Sequence, residues 1–198
     1  MKKGLCVLLM MLILFSAAAA DGVIPGLRPT ESPAPAGGFS FRNGIQWNMS
    51  RDQVRALENM ELTDRSNGSW SILYPLQRVE VSRYQADLVY MFHQDSLQMI
   101  TYDFGTAGTA ADFSYLTGAL DSVYGEHTEP DASVVVSIMD RIYPGYYTAD
   151  RIHSVRGWIS GEDTWLCLYY YAENAYGILY VSTGGLAPAD GAYITTGL

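Results

Sequence analysis

Lysine is nearly missing from this 198-residue chain: Lys2 and Lys3 are the only two, and every later basic side chain is an arginine. Arg28, Arg42, Arg51, Arg55, Arg65, Arg78, Arg83, Arg141, Arg151 and Arg156 stand apart from one another among an excess of Asp and Glu, for a formal net charge of −9. A phosphate-binding surface needs clustered positive charge, so nucleic acid is excluded as a partner and anionic membrane surfaces are disfavoured. Cysteine is almost as scarce, with Cys6 and Cys167 alone. Cys6 lies in the leading apolar run, which strands Cys167 without a disulfide partner. In "TWLCLYYY" it reads as a small buried hydrophobe rather than a reactive thiol.

The chemical motifs are missing too. His93, His127 and His153 fall in three separate elements, with no His-x-x-x-His or Cys-His spacing for a metal. No G-x-S-x-G elbow, P-loop or dinucleotide fingerprint occurs. No catalytic residue, metal ligand or cofactor is therefore expected. A carboxylate-based glycoside hydrolase stays open as an alternative, because it needs only two acids about 5 to 10 Å apart in a cleft. Asp95, Glu162 and Asp163 sit at expected turns, where solvation and backbone capping account for them.

What is present begins with "MKKGLCVLLMMLILFSAAAA": two lysines, an apolar run and a small-residue ending, the plan of a secretory signal cut after Ala20. An uncleaved anchor is the other reading, although the run falls short of the roughly 18 to 20 apolar residues that span a bilayer. The chain then divides into a signal (1–20), a Pro/Gly-rich tether (21–38), a single α+β domain (39–183) and a flexible C-terminal tail (184–198). The expected destination is secreted, periplasmic or extracellular, with no stable membrane insertion after cleavage.

Within the domain, Ser50 followed three residues later by Gln53 is a capping box, with Met49 and Val54 at the staple positions. A short helix follows, with Val54 and Leu57 inward and Arg51, Asp52, Arg55 and Glu58 facing water. Branched and aromatic residues make strands of "SWSILYPL", "RVEV", "ADLVYMFH" and "SLQMITYDF", the last two joined by a turn at Gln94-Asp95. A second helix spans 109–124 and stops at Gly125. "SVVVSIMD", "RIHSVRGWIS", "TWLCLYYY" and "YGILYVS" read as further strands, with turns at Gly161-Glu162-Asp163 and Glu173-Asn174. Tight turns make the strands antiparallel, giving an α+β fold in which two helices pack on one face of a twisted sheet, with the halves as a diverged helix-plus-strands repeat.

The residues Gly44, Ile45, Trp47, Met49, Ser50, Gln53 and Val54, followed by "LVYMFHQDSLQMI", resemble the superfamily of β-lactamase-inhibitor-like proteins and small outer-membrane assembly lipoproteins, and in particular uncharacterised secreted bacterial proteins of that type. The resemblance covers roughly Gly44 to Phe104. The sequence departs from it in having Asn48 where the family usually places Gly, and in lacking a lipid-attachment cysteine. It implies a non-enzymatic module that inhibits or scaffolds other proteins.

Aromatic side chains are the surplus, and they gather in the second half. Tyr143, Tyr146 and Tyr147 surround Pro144-Gly145 in an expected loop, where rings are costly to leave in water unless they pack back or bind something. Strand alternation puts Trp165, Cys167, Tyr169 and Tyr171 on one face and Leu166, Leu168 and Tyr170 on the other. With the leucines turned to the helices, Trp165, Tyr169 and Tyr171 form either an exposed platform or cross-strand ladders that stabilise the sheet. The resulting expectation is a secreted non-catalytic binding module with a protein partner, and a glycan as the alternative ligand. Its candidate contact residues are Tyr143, Tyr146, Tyr147, Trp165, Tyr169 and Tyr171.

Overall fold

The structure is a computed structural model that describes residues 41–184 except 68, 106, 107, 142, 173 and 174; the side chain of residue 67 is likewise not described. The expected signal (1–20), the tether (21–38), the tail beyond Gly184 and the turn at Glu173-Asn174 lie outside the described residues.

The first helix, α1 (Arg51–Leu57), starts where the capping box places it. The Ser50 side chain accepts the Gln53 N–H, and the Gln53 side chain accepts the Ser50 N–H. Asn48 just ahead takes a φ of 65°, a left-handed conformation that glycine adopts freely and asparagine tolerates. The charged face of α1 is tied down as well as solvated: Arg51 donates to Asp95 at 2.8 Å and to Asp64 at 3.2 Å, and Arg55 donates to Asp64 at 3.1 Å. Glu58, expected to face water, is instead buried at the C-cap, where Arg42, Asn43 and Tyr90 surround its carboxylate.

Five strands follow: β1 (Leu62–Asn67), β2 (Trp70–Pro75), β3 (Val79–Val81), β4 (Tyr84–His93) and β5 (Ser96–Asp103). Gln94 and Asp95 both take positive φ and join β4 to β5 as a two-residue hairpin. β1, "LTDRSN", was not legible as a strand, because a polar edge strand has no buried face to print a period on the sequence. α2 (Ala110–Tyr124) begins at Thr109, whose hydroxyl and Asp112 form a second capping box, and ends at Gly125 with φ 88°.

"SVVVSIMD" departs from expectation. It is not a strand but a helix, α3 (Ala132–Met139), whose N-cap Asp131 accepts the Ser133 N–H. Three valines lower helix propensity by only a few tenths of a kcal/mol each. Burial of Val135, Ile138 and Met139, spaced three and four apart, outweighs that cost. Three strands complete the chain: β6 (Ile152–Ser160), β7 (Thr164–Tyr171) and β8 (Ala175–Ser182).

All the pairings are antiparallel, in the order β1-β2-β4-β5-β8-β7-β6, with β3 beside the start of β4. The first half of the chain supplies α1 and the second α2 and α3, each half followed by an antiparallel run whose last strand, β5 or β8, lies near the middle of the sheet. One face carries α1 and α2 over Leu88, Tyr90, Phe92, Ile100, Tyr102, Leu166, Leu168 and Tyr180. The opposite face carries α3 over Met91, Met99, Cys167, Tyr169, Leu179 and Val181. The α+β class and twisted antiparallel sheet therefore stand as expected, with a third helix added on the far side. Cys167 is fully buried between strands, and that burial pushes its thiol pKa up. Trp47, at the head of the first helix entry, donates its indole N–H to Thr164 Oγ1 at 2.8 Å and so locks the two halves together.

Candidate functional site

A row of residues crosses the α3 face in register: Asp87 on β4 opposite Asp103 on β5, Asp103 opposite Gly177 on β8, and Gly177 opposite Tyr169 on β7. In-register neighbours on one face bring their side chains together. Gly177 has none to offer, and the Tyr169 ring lies in the space left: a Cβ on Gly177 would stand 2.6 Å from the Tyr169 hydroxyl oxygen. That hydroxyl hydrogen-bonds with Tyr147, and burial first, then the nearby Tyr147 and Asp103, push its pKa up.

Above this row runs the loop that follows α3. Asp140 accepts the Gly145 N–H at 2.6 Å, the Tyr143 N–H reaches Met139 O at 2.9 Å, and Tyr171 Oη donates to Tyr146 O at 3.0 Å. Gly145, at φ 72°, permits the reversal. The loop is pinned at its base while it holds the Tyr146 ring 66 % exposed. Tyr147 turns inward and meets Tyr169 and Tyr171 edge-on, with centroids 6.0 and 5.1 Å away.

Between row and loop lies a cleft of about 270 Å³. Its floor is Asp87, Val89, Thr101, Asp103 and Tyr169; its other wall is Met139, Tyr143, Tyr146 and Tyr147. Asp103 is the half-buried acid at its end. Burial pushes its carboxyl above the ordinary range, the Gly105 N–H at 2.7 Å pulls it back, the Asp87 charge raises it further and Arg78 lowers it. Burial likewise pushes up the Tyr143 and Tyr147 phenols, the latter to about 12. Asp87 is more exposed and pairs with Arg78 at 3.4 Å, outside the cleft lining. The two carboxylates are cross-strand neighbours on one wall of the cleft.

The loop tyrosines and Tyr169 thus converge on one cleft, whereas Trp165 and Tyr171 do not line it. The exposed platform considered for β7 is corrected: Tyr169 is 3 % and Tyr171 5 % exposed, because α3 and its loop cover that face. Tyr147 is buried as well, which leaves Tyr146 as the outward ring of the six. Asp87, Asp103, Thr101 and Met139 were not anticipated. Counting back from the Gln94-Asp95 turn pairs Asp87 with Tyr102. A bulge between Met91 and Phe92 shifts the ladder by one residue and brings Asp103 to Asp87 instead.

A second, polar depression of about 510 Å³ lies beside the bulge, lined by Trp70, His93, Gln94, Ser96, Gln98, Arg141 and Gly184. His93 stacks obliquely on Trp70 with centroids 5.1 Å apart, and Gln98 Oε1 is buried with no hydrogen-bond partner among the described residues. Elsewhere His127 binds Asp121 at 2.9 Å beside Trp158, and His153 packs near Tyr170. Among the described residues no group of three potential ligands gathers for a metal, and no helix is long and apolar enough to cross a membrane. No family model, curated protein or solved structure matches this chain.

Proposed function

We propose that this protein is a secreted, non-catalytic binding module that engages a protein partner through the tyrosine cleft. One observation carries the reading: a loop pinned by three hydrogen bonds presents the Tyr146 ring to solvent at the lip of a preformed cleft. A large, rigid ring beside a pocket is what a protein interface uses as an anchor, because little rotamer freedom remains to be lost on binding. The resemblance of the Gly44 to Phe104 stretch to inhibitor and scaffold proteins supports the same reading. Export rests on the first twenty residues alone.

A glycan is the second ligand class, favoured by the depression around Trp70, His93, Ser96 and Gln98, which combines an aromatic face with polar neighbours. The test is affinity capture from the native extracellular milieu with wild type beside Tyr146→Ala, a substitution at an exposed ring, with the two proteins matched in stability by thermal melt. Wild type is expected to retain a partner protein that the variant loses. Capture of no protein, or equal capture by both, overturns the reading; retention on a glycan array that Trp70→Ala abolishes installs the glycan reading instead.

A further inference from the structure

The cleft resembles a cage built for a positive charge. Elsewhere on this molecule, tyrosine rings are already covered by cations: Arg83 stands 4.1 Å from the centroid of the exposed Tyr115 ring and Arg151 stands 4.7 Å from that of the buried Tyr171 ring. Among the described residues no cation stands over Tyr143, Tyr146 or Tyr147. At the end of the same cleft, Asp103 has one oxygen engaged by the Gly105 N–H, and its second accepts no hydrogen bond from the described residues. Aromatic faces attract a cation through their quadrupole, most strongly where water is displaced, and a half-buried carboxylate supplies the counter-charge.

We propose that this cleft receives the ammonium group of a lysine side chain from the protein partner, with the nitrogen at Asp103 and the apolar stem between the tyrosine rings and Val89. The inference rests on the protein-binding reading and deepens it by naming the group that is bound. A lysine fits better than an arginine. Its compact head enters a cleft of about 270 Å³ end-on, and its three donors suit a single free carboxylate oxygen, whereas a guanidinium seeks two in a plane. The Arg78 guanidinium pairs with Asp87 at 3.4 Å and donates to the Asp103 backbone carbonyl at 3.3 Å, so two carboxylates share one cation and the cleft keeps a net negative charge that a second cation would balance. This chain has no lysine after Lys3, so its folded body cannot fill the cleft of another copy with the same group.

The experiment titrates ¹⁵N-labelled protein with Nα-acetyl-lysine methylamide, its norleucine analogue, and N-acetylglucosamine, following amide shifts around the cleft. The lysine probe is expected to shift residues near Asp103 and Tyr146 and to bind at least about tenfold more tightly than norleucine, the scale of one desolvated cation–aromatic contact. Asp103→Asn, which should melt no lower than wild type, is expected to abolish that preference. Norleucine binding as well as lysine, an unaffected Asp103→Asn, or shifts by the sugar alone overturns the inference. Competition separates it from the broader reading. If a captured partner resists the lysine probe and binds Asp103→Asn normally, the lysine inference falls while the binding module stands. If the probe binds as described but no protein is captured, the ammonium chemistry stands and the protein partner falls.

Discussion

The two faces of the sheet bury tyrosines in opposite ways. Under α1 and α2, Tyr90 and Tyr102 are sealed from solvent around Glu58, whose side chain is fully buried. Glu58 accepts from the Tyr90 hydroxyl, from Asn43 at 3.2 Å and from the Arg42 guanidinium at 3.2 Å. The carboxylate there has every oxygen occupied, and the network clamps the segment before α1 onto the sheet. Under α3, Tyr147 and Tyr169 are also buried, but the carboxylate they approach, Asp103, opens onto a cleft and keeps an oxygen unoccupied among the described residues. The same residue types therefore serve cohesion on one face and leave a receptive site on the other. What separates the two is whether the acid's hydrogen-bonding capacity is met from within the fold.

The largest effect is expected from breaking the closed network. Glu58→Ala leaves Arg42 and Tyr90 without their shared acceptor and should destabilise the fold by about 4 kcal/mol in chemical denaturation, the cost of removing one partner from a buried charged pair. On the open face the corresponding structural weak point is Gly177. Gly177→Ala drives a methyl into Tyr169 and to within 2.9 Å of the Tyr102 carbonyl, and should cost about 2 kcal/mol as an overpacked site does. If Gly177→Ala proves neutral, Tyr169 has room to move and the floor of the cleft is not rigid.

Away from both faces, Ser50→Ala should cost about 1 kcal/mol through loss of the α1 cap, and Asp52→Asn should cost less, since that exposed charge acts only through the helix dipole and a solvent-screened ion pair with Arg55. Denaturation of the two variants side by side checks the order.

The smallest effect is one of pH. Burial raises the Asp103 carboxyl in the folded state, so the unfolded chain loses that proton first as pH rises. Stability falls between the ordinary aspartate range and the folded value. Asp103→Asn removes that loss: melts of wild type and variant should coincide at low pH, with the variant the more stable near neutrality. Asp87, Arg78, Tyr143, Tyr147 and Tyr169 face the group and are left in place. The exposed acids Asp95, Asp112 and Asp131, held low by hydrogen bonds from Arg51, Thr109 and Ser133, shift both proteins alike in the opposite sense.

Much of the fold was legible because its signals are local. The Ser50 and Gln53 box, the helix from Thr109 to the Gly125 stop and the Gln94-Asp95 hairpin each depend on a few adjacent residues with a fixed geometric requirement. So does the alternation that turns Leu166 and Leu168 to one face and Tyr169 and Tyr171 to the other. The helix at Ala132–Met139 was not legible, since a run of valines satisfies a strand as readily as a buried helix until a partner surface is known. The cleft lay further still from view. The sequence by itself determined that tyrosines would crowd the loop at 143–147 and one face of β7. The tertiary structure decided that α3 would cover Tyr169 and Tyr171, and that one bulged residue in the β4–β5 ladder would bring Asp103 beside Asp87. Side-chain period is a property of one strand, but register belongs to two, and a shift of one residue between them moves a carboxylate from one face of the sheet to the other.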